Sequence, residues 1–67
     1  MTRLKELREA RGYSQSQFAE MCGVSVRTIQ QYEQGRRRLD DASAERVYLI
    51  AKTLSVTMEE LLGYEKI

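Results

Sequence analysis

The stretch that decides the fold runs from Ser14 to Gly35 and has the sequence SQSQFAEMCGVSVRTIQQYEQG. Apolar residues recur at helical spacing on both sides of Gly23, and a serine precedes each of the two apolar stripes. Serine is a favoured N-cap, and glycine adopts the left-handed conformation that ends a helix without steric penalty. The stretch therefore predicts two short helices joined by a glycine turn.

Each of these two helices has an inner and an outer face. Ser14 and Gln17 form a capping-box pattern before the first helix, and Ser25 caps the second. Helical residues three and four positions apart share a face, so the apolar positions define the inner sides. These positions are Phe18, Ala19 and Cys22 in the first helix, and Ile29 and Tyr32 in the second. The exposed side of the second helix carries Val26, Arg27, Gln30, Gln31 and Gln34.

One helix is predicted before this pair. It begins after Thr2, a plausible N-cap, and runs to about Arg11, because Gly12 can end it. Its predicted apolar face carries Leu4, Leu7 and Ala10.

Two helices are predicted after the pair, beyond a basic loop. The first begins at Asp40 or Asp41, whose acidic side chains suit the positive end of a helix dipole. Its inward stripe is Ala44, Val47, Ile50, Ala51 and Leu54. The second begins with a Thr57–Glu60 capping box, buries Met58, Leu61 and Leu62, and ends at Gly63 before a short tail, residues 64–67. The prediction is an all-α, compact five-helix domain spanning residues 1–67, with the central pair at about 14–34.

Composition excludes several classes of protein. The longest apolar run, Val47 to Ala51, is far shorter than the ~20 residues of a membrane span, and no signal-peptide pattern opens the chain, so we expect a cytoplasmic protein without a membrane partner. One cysteine and no histidine leave no disulfide within the chain and no zinc cluster, and we expect no metal or cofactor. Cys22 is interpreted as a small core residue, with a reactive thiol as the alternative.

Charge is distributed unevenly along the chain. Residues 1–38 carry eight Lys or Arg and four acids, whereas residues 39–67 carry three bases and six acids, although the net charge is only +1. This asymmetry fits one cationic end that faces an anionic polymer. Scattered, solvated charges are the alternative interpretation.

Several short motifs occur together between Leu4 and Gly63. They are Ser14-Gln15, Phe18-Ala19-Glu20, Gly23-Val24-Ser25, Ile29 and Glu33-Gln34-Gly35, followed by Ile50-Ala51-Lys52-Thr53-Leu54. In combination they resemble the Cro and lambda-repressor family, also called the xenobiotic-response-element family, of five-helix DNA-binding domains. The loop at Arg37-Arg38-Leu39-Asp40 departs from the family, which often has proline there.

The resemblance implies two sets of DNA contacts. Base edges would be touched by Arg27 and Gln31, with Val26 and Gln30 as neighbours, although phosphate contact is the alternative for Arg27. Phosphates would be contacted by Ser14, Gln15, Ser25, Gln34, Arg36 and Arg38. It further implies a structural ion pair between Arg8 and Glu33, with a solvent-exposed Glu33 as the alternative.

Aromatic and apolar residues outside these sets allow two interpretations each. Tyr13 and Tyr32 are interpreted as partial core rather than as stacking platforms for unpaired bases. Exposed apolar residues in the acidic half suggest a dimer contact, although scattered surface apolar residues are ordinary. The candidates are Tyr48, Leu49, Leu62, Tyr64 and Ile67.

The leading hypothesis is a sequence-specific double-stranded DNA binder that acts as a transcriptional regulator, by analogy a repressor, and as a homodimer at least on DNA. The alternative is a protein-interaction module of the same fold, such as an antitoxin or an adaptor. An enzyme is disfavoured because no nucleophile is paired with a base, and no small-molecule site is evident.

Overall fold

The structure is a computed structural model that describes residues 3–64. Five α-helices follow one another in it, and no strand occurs in this range. The helices are α1 (Leu4–Ala10), α2 (Gln15–Cys22), α3 (Val26–Glu33), α4 (Ala44–Thr53) and α5 (Met58–Leu62). A short 3₁₀ helix, Leu39–Asp41, lies between α3 and α4. The all-α, five-helix prediction is confirmed.

Three helices, α2, α3 and α5, begin at the side-chain caps that the sequence predicts. Ser14 Oγ accepts a hydrogen bond from the Gln17 backbone N–H at 3.0 Å, and Thr57 and Glu60 form the second capping box. Ser25 Oγ accepts from the Thr28 N–H at 3.2 Å. Each cap gives a partner to an N–H group that the first helical turn leaves unsatisfied.

The turn between α2 and α3 depends on Gly23. This residue has φ +73°, and open space surrounds the position where a Cβ would stand. Backbone conformation alone therefore favours glycine here. The glycines at 12, 35 and 63 also have positive φ, as their predicted places after α1, α3 and α5 require.

The start of α4 differs from the prediction. Asp40 and Asp41 belong to the 3₁₀ helix, and α4 begins at Ala44 after Ser43, whose Oγ accepts from the Arg46 N–H at 3.2 Å. Ala42 is extended, with φ −74° and ψ 160°, so it separates the two helices. The acidic pair at the predicted position is a weaker helix-start feature than a serine that bonds directly to the first turn.

Two residues that are predicted to face inward at helix ends do not do so. Ala10 and Ala44 are exposed rather than part of the inner stripes, because they are the last residue of α1 and the first of α4, where the apolar stripe extends past the packed layer. Arg3 precedes α1 without a side-chain cap, and the predicted cap Thr2 lies outside the described residues.

The core is formed by side chains from all five helices and from the 3₁₀ helix. Seven large side chains are essentially inaccessible to solvent: Leu4, Phe18, Ile29, Leu39, Ile50, Leu54 and Leu61. The Arg3 N–H donates to the Leu61 carbonyl at 3.0 Å, which joins the start of α1 to α5. Helix α2 packs against both α3 and α4, so the outer face of α3 is directed away from the core. No helix in residues 3–64 has the length and apolar character that a bilayer crossing demands.

Candidate nucleic-acid interface

Helix α3 has one buried and one accessible face. Ile29 and Tyr32 are buried, with 0% and 4% of their surface exposed, and they hold the helix on the core. The residues predicted for the other face are all accessible to some degree. Val26, Arg27 and Gln34 are exposed, and Gln30 and Gln31 are half-buried.

Among residues 3–64, the polar side chains of Arg27, Gln31 and Gln34 on this face make no hydrogen bond or ion pair. Arg27 and Gln31 stand four positions apart, so they are neighbours on the helix surface. Their donors and acceptors are therefore free to bind an external ligand.

The N-termini of α2 and α3 add backbone donors beside this face. Both helices have eight residues and begin after a serine cap. The Ser25 hydroxyl also shares a hydrogen bond of 2.8 Å with the Thr28 hydroxyl. N–H groups of the first turn that the cap does not use, together with the positive end of the helix dipole, favour anions.

An ion pair between Arg8 and Glu33 connects α1 to the end of α3. Arg8 Nε lies 2.7 Å from Glu33 Oε2, and Nη2 lies 3.1 Å from Oε1. Arg8 Nη1 also donates to the Tyr13 carbonyl at 2.7 Å. The side chains are buried, with 9% and 3% exposed, so the solvent-exposed alternative for Glu33 does not apply. The hydrogen bond to Glu33 raises the pKa of the Arg8 guanidinium above its ordinary value.

Gln15 belongs to the same polar cluster, which sequence reasoning missed. Its Nε2 donates to Glu33 Oε1 at 3.0 Å, and its Oε1 accepts from Gln30 Nε2 at 3.4 Å. Gln15 is predicted to contact a phosphate, but both polar atoms of its side-chain amide already have partners in the protein. Gln15 lies 18 residues before Glu33 and 15 residues before Gln30, too far along the chain for a local spacing rule to reveal these contacts.

The basic loop after α3 holds three exposed arginines in different environments. Arg37 lies over the Tyr32 ring, 5.7 Å from its centroid, and Arg38 Nη2 lies 3.7 Å from Asp40 Oδ2. Arg36 makes no such contact in the described part of the chain. The loop therefore carries a cluster of positive charge against the C-terminal end of α3.

Asp40 joins this loop to the end of α5. The Tyr64 hydroxyl donates a hydrogen bond to the Asp40 carboxylate. This hydrogen bond, helped by the charge of Arg38, lowers the pKa of Asp40. The carboxylate raises the pKa of Tyr64 in turn. Arg38 consequently has a negatively charged neighbour that Arg36 lacks among residues 3–64.

The remaining aromatic and thiol predictions fall in the core. Tyr13 is half-buried and stacks on Phe18 with ring centroids 6.2 Å apart. Tyr32 is 4% exposed, which leaves no ring face for an unpaired base, and its hydroxyl accepts from Arg46 Nη1 at 3.4 Å. Cys22 is buried, and burial raises the pKa of its thiol, although a hydrogen bond with Thr53 acts in the opposite direction.

The predicted protein-contact residues divide into two groups. Tyr48 and Leu49 are 50% and 43% exposed on α4, and Lys52 Nζ lies 5.7 Å from the Tyr48 ring centroid. Leu62 is half-buried against the core. Tyr64 is exposed and bonded to Asp40, while Ile67 lies outside the described residues.

Comparison with known proteins gives consistent matches. A helix-turn-helix family model matches residues 4–61. The HTH-type transcriptional regulator AnsR of Bacillus subtilis is 36% identical over 66 residues, which covers 98% of this chain and 54% of AnsR. An uncharacterized transcriptional regulator in the ATPase CF(0) region of Rhodospirillum rubrum is 42% identical over 57 residues, 85% of this chain and 50% of that protein. The chain spans about half the length of these two relatives. A 33-residue stretch is 58% identical to an HTH-type protein of Pyrococcus furiosus, of which the chain covers 10%.

Proposed function

Because this chain belongs to the Cro and lambda-repressor type helix-turn-helix family, we propose that it is a transcriptional regulator that places α3 in the major groove of double-stranded DNA. In such modules the second helix of the pair presents its N-terminal half to the base edges, while the first lies across the backbone. The observation that carries the proposal is the accessible face of α3, where Arg27 and Gln31 have no protein partner in the described range.

Base contacts come from four positions on that face. Arginine pairs bidentately with guanine and glutamine with adenine, and each good pair contributes about 1–3 kcal/mol of discrimination. Arg27 and Gln31 are the principal contacts. Val26, which is 37% exposed, meets a thymine methyl, and Gln30 contributes a further amide.

Phosphate contacts surround the base contacts. The serine caps Ser14 and Ser25 stand at the helix N-termini, and Gln34 and Arg36 follow at the other end of α3. Arg38 contributes less than Arg36, because Asp40 lies 3.7 Å from its guanidinium and neutralises part of its charge. These contacts position the protein without distinguishing sequences.

The proposed active form is a homodimer on DNA that acts as a repressor in the cytoplasm. A single small module buries only about 600–1,000 Å² of its surface on DNA, so useful specificity calls for two copies on adjacent half-sites. The exposed pair Tyr48 and Leu49 on α4 supplies the apolar surface for the contact between copies.

The proposal is tested by fluorescence anisotropy with a labelled duplex at several salt concentrations. The logarithm of the binding constant should fall linearly with the logarithm of salt concentration, with a slope of about −0.9 for each phosphate contact. Arg36→Ala should reduce that slope by about 1 per copy. Arg11→Ala, which removes an exposed arginine at the end of α1, is the matched control and should leave the slope unchanged. Salt-independent binding, or equal effects of both variants, would contradict the proposal.

A protein-interaction module is the second candidate, favoured by the exposed Tyr48 and Leu49. An antitoxin or adaptor of this type would bind a foreign protein through α4. Stoichiometric capture of such a protein, together with no retention of duplex DNA in a gel shift, would place this candidate first. Loss of that capture in a Tyr48→Ala, Leu49→Ala double variant would assign it to α4.

A further inference from the structure

The polar cluster around Glu33 fixes the direction of a hydrogen-bond chain. A carboxylate paired with a guanidinium only accepts hydrogen bonds, and Glu33 accepts two of them from Arg8 at 2.7 and 3.1 Å. Gln15 must therefore turn its amide nitrogen toward Glu33, where it donates to Oε1 at 3.0 Å. Its carbonyl oxygen is left to face the other way.

The same constraint passes to Gln30. The Gln15 carbonyl accepts from Gln30 Nε2 at 3.4 Å, which uses one of the two N–H groups of Gln30. The second N–H of the Gln30 side-chain amide and its side-chain oxygen Oε1 make no hydrogen bond in residues 3–64. A free donor beside a free acceptor on one amide is the pair of groups that adenine N7 and N6 require.

We propose that Gln15 is a positioning residue for base recognition, which holds the Gln30 amide in the orientation that pairs with adenine. The inference rests on the proposed function and assigns Gln15 a role other than phosphate contact. The buried Arg8–Glu33 ion pair anchors one end of this series of hydrogen bonds, and the half-buried Gln30 amide that contacts the base lies at the other end. Gln30 consequently loses less side-chain freedom on binding, and the reversed amide is disfavoured before DNA arrives.

The test compares the 67-residue chain with Gln15→Met, Gln30→Ala and the double variant. Methionine keeps the length of the side chain and removes both amide atoms. The operator is first selected from random duplexes, and the base pair read by Gln30 is the one whose preference Gln30→Ala relaxes. Dissociation constants are then measured on the four duplexes that differ at that base pair.

Gln15→Met should reduce the preference for adenine about 2- to 10-fold, the range of one net hydrogen bond. Affinity for the other three duplexes and the salt slope should stay as in the unmodified chain. In the Gln30→Ala background, Gln15→Met should add no further loss of preference. Gln17→Met is the matched control, because it removes a side-chain amide from the same helix, one whose oxygen accepts from the Ser14 backbone N–H. This variant should lower the melting temperature and leave base preference unchanged.

Each other outcome overturns a defined statement. If Gln15→Met weakens all four duplexes equally and reduces the salt slope by about 0.9, Gln15 contacts a phosphate and the inference is wrong, while the proposed function stands. The inference is also wrong if no adenine preference depends on Gln30. If the unmodified chain binds no duplex, both the inference and the proposed function fail.

Discussion

Replacing Glu33 with alanine should lower the free energy of unfolding, and this loss of stability should be the first effect of the substitution, ahead of any change in DNA contacts. The substitution leaves the Arg8 guanidinium buried, with 9% of the side chain exposed. It removes the two hydrogen bonds that Arg8 donates to Glu33 at 2.7 and 3.1 Å and the one that Gln15 donates at 3.0 Å. Breaking a buried pair by removing one partner costs about 3–5 kcal/mol. We expect the lower end, about 3 kcal/mol, because Arg8 keeps the Tyr13 carbonyl at 2.7 Å and Glu9 lies 4.0 Å away.

That loss is large for a chain of this length, whose whole stability is on the order of 3–10 kcal/mol. It corresponds to a fall in melting temperature of about 12–24 °C, which far-ultraviolet circular dichroism during heating would measure. Glu9→Ala is the matched control, because it removes the same charge from a residue whose side chain is 59% exposed, and it should cost less than about 1 kcal/mol. Equal melting temperatures for Glu33→Ala and the unmodified protein would refute the role given to the ion pair.

Three further predictions concern the backbone and the end of α5. Gly23→Ala should destabilise the protein by about 1–2 kcal/mol, because φ is +73° while an added Cβ would meet no neighbouring atom. Gly23→Asn should cost less, since asparagine tolerates positive φ better than alanine. Equal losses in urea unfolding of the two variants would show that the backbone conformation is not the cause. Ser55 has φ +59°, so Ser55→Gly should stabilise the protein by about 0.5–1 kcal/mol, whereas Ser16→Gly, at the second residue of α2, should destabilise it. Tyr64→Phe should raise the pKa of Asp40, because the Tyr64 hydroxyl donates to the carboxylate and lowers this pKa. The variant should therefore be less stable at neutral pH, and the difference should vanish as the pH falls through the folded-state pKa of Asp40. An unchanged titration of the Asp40 carboxylate by nuclear magnetic resonance would contradict this.

Local rules predict most of the helical framework. Capping boxes, glycine stops and apolar stripes depend on residues three or four positions apart, so the starts of α2, α3 and α5 and nearly all core residues follow from the sequence. The start of α4 does not, because the acidic Asp40–Asp41 pair and Ser43 both qualify as helix starts. Burial of Leu39 and the extended Ala42 decide between them, and both depend on tertiary packing.

The candidate site follows from the sequence only as a surface. The periodicity of α3 predicts which residues face outward, and the structure places Arg27 and Gln31 there without partners in the described range. The hydrogen bonds of Gln15 with Glu33 and Gln30 depend on contacts between separate helices, and the pairing of Arg38 with Asp40 depends on the conformation of the 3₁₀ helix. A propensity or spacing rule carries no information about such contacts.

The most direct measurement of the central claim is selection of duplexes from a random pool by the unmodified chain and by Arg27→Ala and Gln31→Ala. The unmodified chain should enrich one motif, with two half-sites about 34–36 Å apart for a dimer. Each variant should lose discrimination at one base pair of each half-site, a guanine for Arg27→Ala and an adenine for Gln31→Ala, and keep the rest of the motif. Enrichment of an identical motif by all three proteins would contradict the claim that the outer face of α3 contacts bases.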